Sequence, residues 1–157
     1  MIKLYFIAVF SVFTFTAYAG GFYGTLSEVY TPNIIIVDGD NAIGKVEIQG
    51  VDFGEDGDVA CTRSQVSDVC DFIYNELKAS RLAVEVTGGE HTQLSGDIVY
   101  QDKILSVELV RNGYYRVDYS TTKARYMMLA EKEAMCAYRG IWSKYRGDYE
   151  MARKCQM

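Results

Sequence analysis

The chain contains one proline, Pro32, and one histidine, His91, among 157 residues. With no second imidazole, and with Cys61, Cys70, Cys136 and Cys155 spaced unlike any C-x-x-C pattern, a zinc-thiolate site is disfavoured. Proline and glycine do not gather into a linker, and there is no internal repeat or low-complexity stretch, so the composition argues against a multi-domain or disordered chain. Positive charge is also scarce, with 16 Lys and Arg against 21 Asp and Glu. The longest apolar run, Leu4 to Phe15, is too short to anchor a protein in a membrane.

Aromatic residues make up 13% of the chain, including 13 tyrosines, which favours a globular body with a real core. Met1 to Ala19 reads as a secretory signal peptide: Lys3, then the apolar run, then Ala17-Tyr18-Ala19 ahead of Gly20. The expected mature chain is a single domain over residues 20–157, exported to the periplasm or outside the cell, with no stable membrane span after leader removal. It has 15 basic and 21 acidic residues, a net charge of −6. That is a poor background for holding a polyanion through phosphate contacts. Bases do concentrate toward the C-terminus, from Arg111 and Arg116 through Arg139 to Arg153 and Lys154, where they form a face that is most simply solvated. In an oxidising compartment the four cysteines read as two disulfides. Three pairings are open, and the local ones, Cys61 with Cys70 and Cys136 with Cys155, are favoured because they would staple a loop to one helix and a tail to another.

Hydrophobic periodicity divides the mature chain into three strands, a helix, two strands and two helices. Gly24 to Val29 alternates, Tyr30-Thr31-Pro32-Asn33 turns, Ile34 to Val37 is β-branched throughout, and Asp38-Gly39-Asp40-Asn41 is a hairpin signal leading into a returning strand, Ala42 to Val51. A helix from Thr62 places Val66, Val69, Cys70, Ile73 and Leu77 on one face, with Thr62 and Gln65 in capping-box register. Strands follow at Ala83 to Val86, closed by Gly88-Gly89, and at Asp97 to Tyr100. Helices follow at Leu105 to Asn112 and from about Thr122 to Arg139. In the last helix Tyr126, Ala130, Ala134 and Ala137 form the expected packing stripe, Met127, Met128 and Met135 the expected core filler, and Trp142 the plug beyond it. This order suits an α+β fold: a five-stranded OB-fold β-barrel with three helices.

The stretch with the most chemical content is Val46-Glu47-Ile48-Gln49-Gly50-Val51-Asp52-Phe53-Gly54-Glu55. It is a half-buried strand ending in a turn whose Asp52 and Glu55 could share a cation or position a water. The competing reading is a solvated acidic loop, since Asp56 and Asp58 follow at once.

Four matches in order make the chain resemble the thermonuclease family, the staphylococcal nuclease-like branch of the OB-fold. Gly24-x-Leu26-x-x-Val29 is similar to its first strand. Val46-x-Ile48-x-Gly50-Val51-Asp52-x-x-Glu55 is similar to its I-R-L-x-G-I-D-x-P-E segment, and Leu109-Val110-Arg111-Asn112-Gly113-Tyr114 to L-V-x-x-G-x. Tyr126, Ala130-Glu131-x-x-Ala134 and Gly140-Ile141-Trp142 are similar to its final helix and tryptophan. The resemblance implies an exported, calcium-dependent phosphodiesterase on DNA or RNA. In such an enzyme two aspartates hold the metal, a glutamate activates water and two arginines neutralise the phosphate. By that resemblance Asp52 is a metal ligand and Glu55 the general base. The first arginine position is Glu47, a charge reversal, and the second falls at Ser95. Phe53 and Gly54 stand where the family has threonine and proline. The other metal aspartate has two placements. Asp38-Gly39-Asp40 copies the family's D-G-D and would make Asp40 the ligand. Strand order instead puts Thr31-Pro32-Asn33 there, and strand length favours that register.

The expectation is therefore a nuclease-like domain with a degenerate active site, a weak or inactive enzyme that acts as a binding or interaction module with calcium weakly held or absent. Nucleic acid stays open as a partner but is disfavoured by the acidic net charge, and a protein partner is open as well. The alternative is an active calcium-dependent endonuclease using Asp40, Asp52 and Glu55, with cations borrowed from Arg81, Arg111 or the last helix. A third class is a surface protein whose tyrosine-rich exterior binds protein or glycan.

Overall fold

The computed structural model describes residues 20–40, 43–90, 92–122 and 124–156, so the expected leader, Met1 to Ala19, and His91 lie outside the described residues. Strand β1 (Gly21–Thr31) pairs antiparallel with β2 (Ile34–Gly39) along one edge and with β5 (Leu82–Glu90) along the other. Strand β2 pairs antiparallel with β3 (Ile43–Ile48), with Asp38 opposite Ile43. Strand β6 (Gln93–Tyr100) pairs antiparallel with β5 and with the short β7 (Lys103–Ile104), and also parallel with β3. The resulting sheet is six-stranded and mostly antiparallel, in the order β3-β2-β1-β5-β6-β7, and the β3–β6 pairing leads from β6 back to the first strand.

Sequence and structure diverge in instructive places. The third strand does not run to Val51. It ends at Ile48, because Gly50 takes φ +79°, a left-handed conformation that only glycine adopts cheaply. Val51–Asp52 then forms a separate two-residue strand, β4, paired with β8 (Arg116–Val117). Strand β5 runs through Gly88-Gly89 to Glu90, where a register shift between Val86 and Gly88 accommodates the extra residue. The described residues thus hold eight strands, three of them two residues long, where five were expected.

Helix α1 (Ser67–Leu77) buries Val69, Cys70, Ile73 and Leu77 on one stripe, as the 3.6-residue period predicts. Its N-cap, however, is Val66 without a side-chain cap, so Thr62 and Gln65 form no capping box; residues 61–66 are turns. Helix α2 (Leu105–Arg111) buries Leu105, Val107, Leu109 and Val110. Helix α3 (Arg125–Cys136) buries Met127, Ala130 and Ala134. The expected stripe was therefore rotated. Tyr126 is 49% exposed, Ala137 is exposed, and Met128, expected in the core, is 46% exposed. A period of 3.6 lets i, i+3, i+7 track one face, whereas i, i+4, i+8 drifts off it.

A fourth helix, α4 (Tyr149–Gln156), was not expected and buries no residue. It is tied down by the Cys136–Cys155 disulfide, and Cys61–Cys70 fastens the preceding loop to α1, both pairings as the spacing suggested. Each closed loop limits the unfolded chain enough to contribute about 3 kcal/mol. Disulfides fit an oxidising, exported location. No described helix is long and apolar enough to cross a membrane.

The core lies between the sheet and α1 to α3. Ile35, Val37, Val46, Val84 and Ile98 from the strands meet Ile73, Leu77, Leu105 and Leu109 from the helices, each at most 1% exposed. Burying each such side chain contributes about 1.5–3 kcal/mol. Trp142 is 7% exposed, in a 3-10 turn over Gly140–Tyr145, and lies outside the main cluster. Its ring lies 6.1 Å from that of Tyr145, tilted by 43°, and carries the Arg116 guanidinium 4.7 Å from its centroid.

Candidate functional site

Asn33 at the head of β2, Glu47 near the end of β3, Gln49 and Asp52 beyond it, Asp58 after the following turn, and Asp118 after β8 surround a pocket of about 240 Å3. It forms there because Gly50 breaks β3 and redirects the chain into β4, whose partner β8 delivers Asp118 from 66 residues further on. The Asp118 backbone N–H donates to Gly50 O at 3.0 Å, and Ile48 N–H donates to Asn33 O at 2.8 Å, fixing the walls relative to one another.

Each carboxylate has its own arrangement. Asp52 is exposed, and its Oδ1 accepts the Gly54 N–H at 3.1 Å, which closes the turn. Glu47 accepts a hydrogen bond from Gln93 Nε2 at 3.1 Å and lies beside Ser95 in the parallel β3–β6 register, so the two positions expected to carry arginine are neighbours on adjacent strands. Asp118 accepts from the Ser120 hydroxyl at 2.5 Å, from Ser120 N–H at 2.9 Å and from the Thr121 hydroxyl at 2.9 Å. Those bonds, the Ser120 hydroxyl first, hold its carboxyl below the usual range. Glu55 is exposed on a short 3-10 turn, Gly54–Asp56, and does not line the pocket.

Asp40 is placed elsewhere. It follows β2 at the end opposite Asn33, exposed and 3.7 Å from Arg81, so of the two positions Asn33, and not Asp40, lines the pocket with Glu47 and Asp52. The cations considered for borrowing are engaged at other points. Arg81 lies near Asp40 and over Tyr23, and Arg111 bonds Glu108 and Glu133.

No protein-family model matches this chain, and no curated protein matches it. Among the described residues no group of three His, Cys, Asp or Glu is arranged to hold a metal ion. Among the described residues the pocket lining contains no Lys or Arg. The basic group brought nearest by strand pairing is Arg116, opposite Asp52 in the β4–β8 register, with its guanidinium laid on Trp142. Sequence reasoning missed both Arg116 and Asp118 as neighbours of Asp52, because β8 is two residues long and carries no periodic signal. The carboxylates in this lining oppose an anion by Coulomb interaction, and no guanidinium fork stands among the described lining residues.

Proposed function

We propose that the protein is an exported, thermonuclease-like domain that has lost phosphodiesterase chemistry and serves as a binding module. The cycle of strand pairings β3-β2-β1-β5-β6 and back to β3 is what a small five-stranded barrel of the OB type requires. The observation that carries the reading is the pocket lining among the described residues: Glu47, Asp52, Asp58 and Asp118 without one Lys or Arg. Phosphoryl transfer to water needs cationic groups or metal aimed at the equatorial oxygens, and removing one such donor commonly costs about 100-fold or more in rate. Asn33 in place of a second aspartate leaves a cation fewer anionic ligands, which favours weak calcium binding or none. The two disulfides support export.

Incubating residues 20–157 with single-stranded DNA or RNA and calcium chloride tests the proposal. No cleavage above a buffer control is expected. Cleavage that disappears in both Asp52→Asn and Glu55→Gln would overturn the reading in favour of a working metal-dependent nuclease.

A further inference from the structure

A second cleft of about 370 Å3 opens beside the acidic pocket and shares Gln49, Gly50 and Thr121 with it. Its chemistry is different. Asp97 comes from β6, Ser106 from the first turn of α2, Thr87 from β5, Thr122 from the loop before α3, and Tyr126 from the first turn of α3. The Ser106 hydroxyl, on a residue 2% exposed, donates to Asp97 Oδ1 at 3.3 Å. A carboxylate can accept about four hydrogen bonds, so acceptor sites remain on Asp97. Thr122 Oγ1 accepts from Ala124 N–H at 3.2 Å, which leaves its own O–H to donate. Thr87 Oγ1 donates to Ser95 O at 3.2 Å, which leaves its lone pairs to accept. The Gln49 side-chain amide adds a donor pair and an acceptor.

This wall offers both donors and acceptors, with no Lys or Arg among its described lining residues. Anions meet Asp97 and, directly across the β5–β6 ladder, Glu85. A metal cation needs several oxygen ligands of which carboxylates are the strongest, and the described lining residues offer it one acid, Asp97, which already accepts from Ser106. Tyr126, 49% exposed, supplies an aromatic surface suited to C–H groups. An uncharged ring bearing hydroxyls at its edge and C–H bonds on its face matches all of these groups.

We infer that the cleft binds an uncharged polyhydroxylated ligand, a monosaccharide unit, through Asp97, Gln49 and Thr122 on its hydroxyls and Tyr126 against its ring. The inference deepens the binding-module reading and rests on it. The two fail separately, since cleavage is read from nucleic-acid products and sugar binding from a titration.

The test is a titration of residues 20–157 with glucose, galactose, mannose and N-acetylglucosamine, followed by amide NMR. At least one sugar is expected to shift the amides of Gln49, Thr87, Thr122 and Tyr126 in a saturable way. Asp97→Ala and Gln49→Ala should each weaken that sugar about tenfold, and Asp97→Asn, which keeps one acceptor oxygen, should weaken it less. Gln49 is half-buried at the rim, so its variant is expected to fold even where Asp97→Ala does not. Any of four results overturns the inference: no saturable shift with any of the four sugars, shifts mapping to another surface, affinity unchanged in Gln49→Ala and Asp97→Asn alike, or saturation of the cleft by a mononucleotide or a simple primary amine where no sugar binds.

Discussion

Where α2 meets α3, Glu108 and Glu133 are each met by a guanidinium. Arg111 bonds both, and Arg139 bonds Glu133 at 3.0 Å while also donating to Arg111 O at 3.0 Å. Around the pocket beyond β3, Glu47, Asp52 and Asp118 instead meet an amide, a backbone N–H and a pair of hydroxyls. The same residue type therefore has two uses here. Acids joined to arginines tie two helices together, and acids served by neutral donors keep their charge directed at solvent. Only the second group lines the pocket, so its charge is the one that bears on the proposed loss of phosphate chemistry.

The sharpest way to break this contrast is to give the pocket the cations it lacks. Glu47→Arg combined with Ser95→Arg places two guanidinium groups on neighbouring positions of β3 and β6. Single-stranded DNA affinity in low salt is then expected to rise about tenfold per arginine, with a steeper salt dependence, measured by fluorescence anisotropy. Unchanged affinity would mean that the pocket's charge does not control access to it.

A smaller effect is expected on the other side of the comparison. Arg111→Ala leaves Glu108, whose side chain is 13% exposed, without its partner, and should cost about 2 kcal/mol in urea denaturation. Removing exposed Asp52 in Asp52→Ala should change stability by less than about 0.5 kcal/mol. Equal losses would erase the distinction. Glu133→Gln comes next: two half-exposed ion pairs are weakened together, for about 1 kcal/mol.

The finest test uses pH. The Asp118 carboxyl is lowered, so its contribution to stability is present above the unfolded value and lost as pH falls through the folded value, below the ordinary aspartate range. The Asp97 carboxyl is raised by burial, so its contribution is present below the unfolded value and lost as pH rises through the folded one, above that range. Asp118→Asn should therefore reduce stability at neutral pH, and Asp97→Asn should increase it slightly. Urea titrations at acidic and neutral pH check both signs.

Much of the fold was legible because it is written in short-range pattern. The β-branched run Ile34 to Val37, the apolar stripe Val69 to Leu77 and the cysteine spacings each constrain neighbours within about twenty residues, and all three appear as read. Less legible was the C-terminal region. α4 buries nothing, so no apolar stripe announced it, and Tyr126 was misplaced because two residues on adjacent faces of α3 fit the period almost equally well.

The sequence by itself determined the main strands and helices and the sign of the charge, and it favoured the local disulfide pairing that the structure has, because periodicity, loop entropy and composition act locally or by simple count. Only the tertiary structure decided that Asn33 rather than Asp40 stands beside Glu47 and Asp52, that Glu47 faces Ser95, and that Asp118 completes the wall. Those outcomes depend on strand register and on a backbone turn at Gly50, which join residues far apart in the chain.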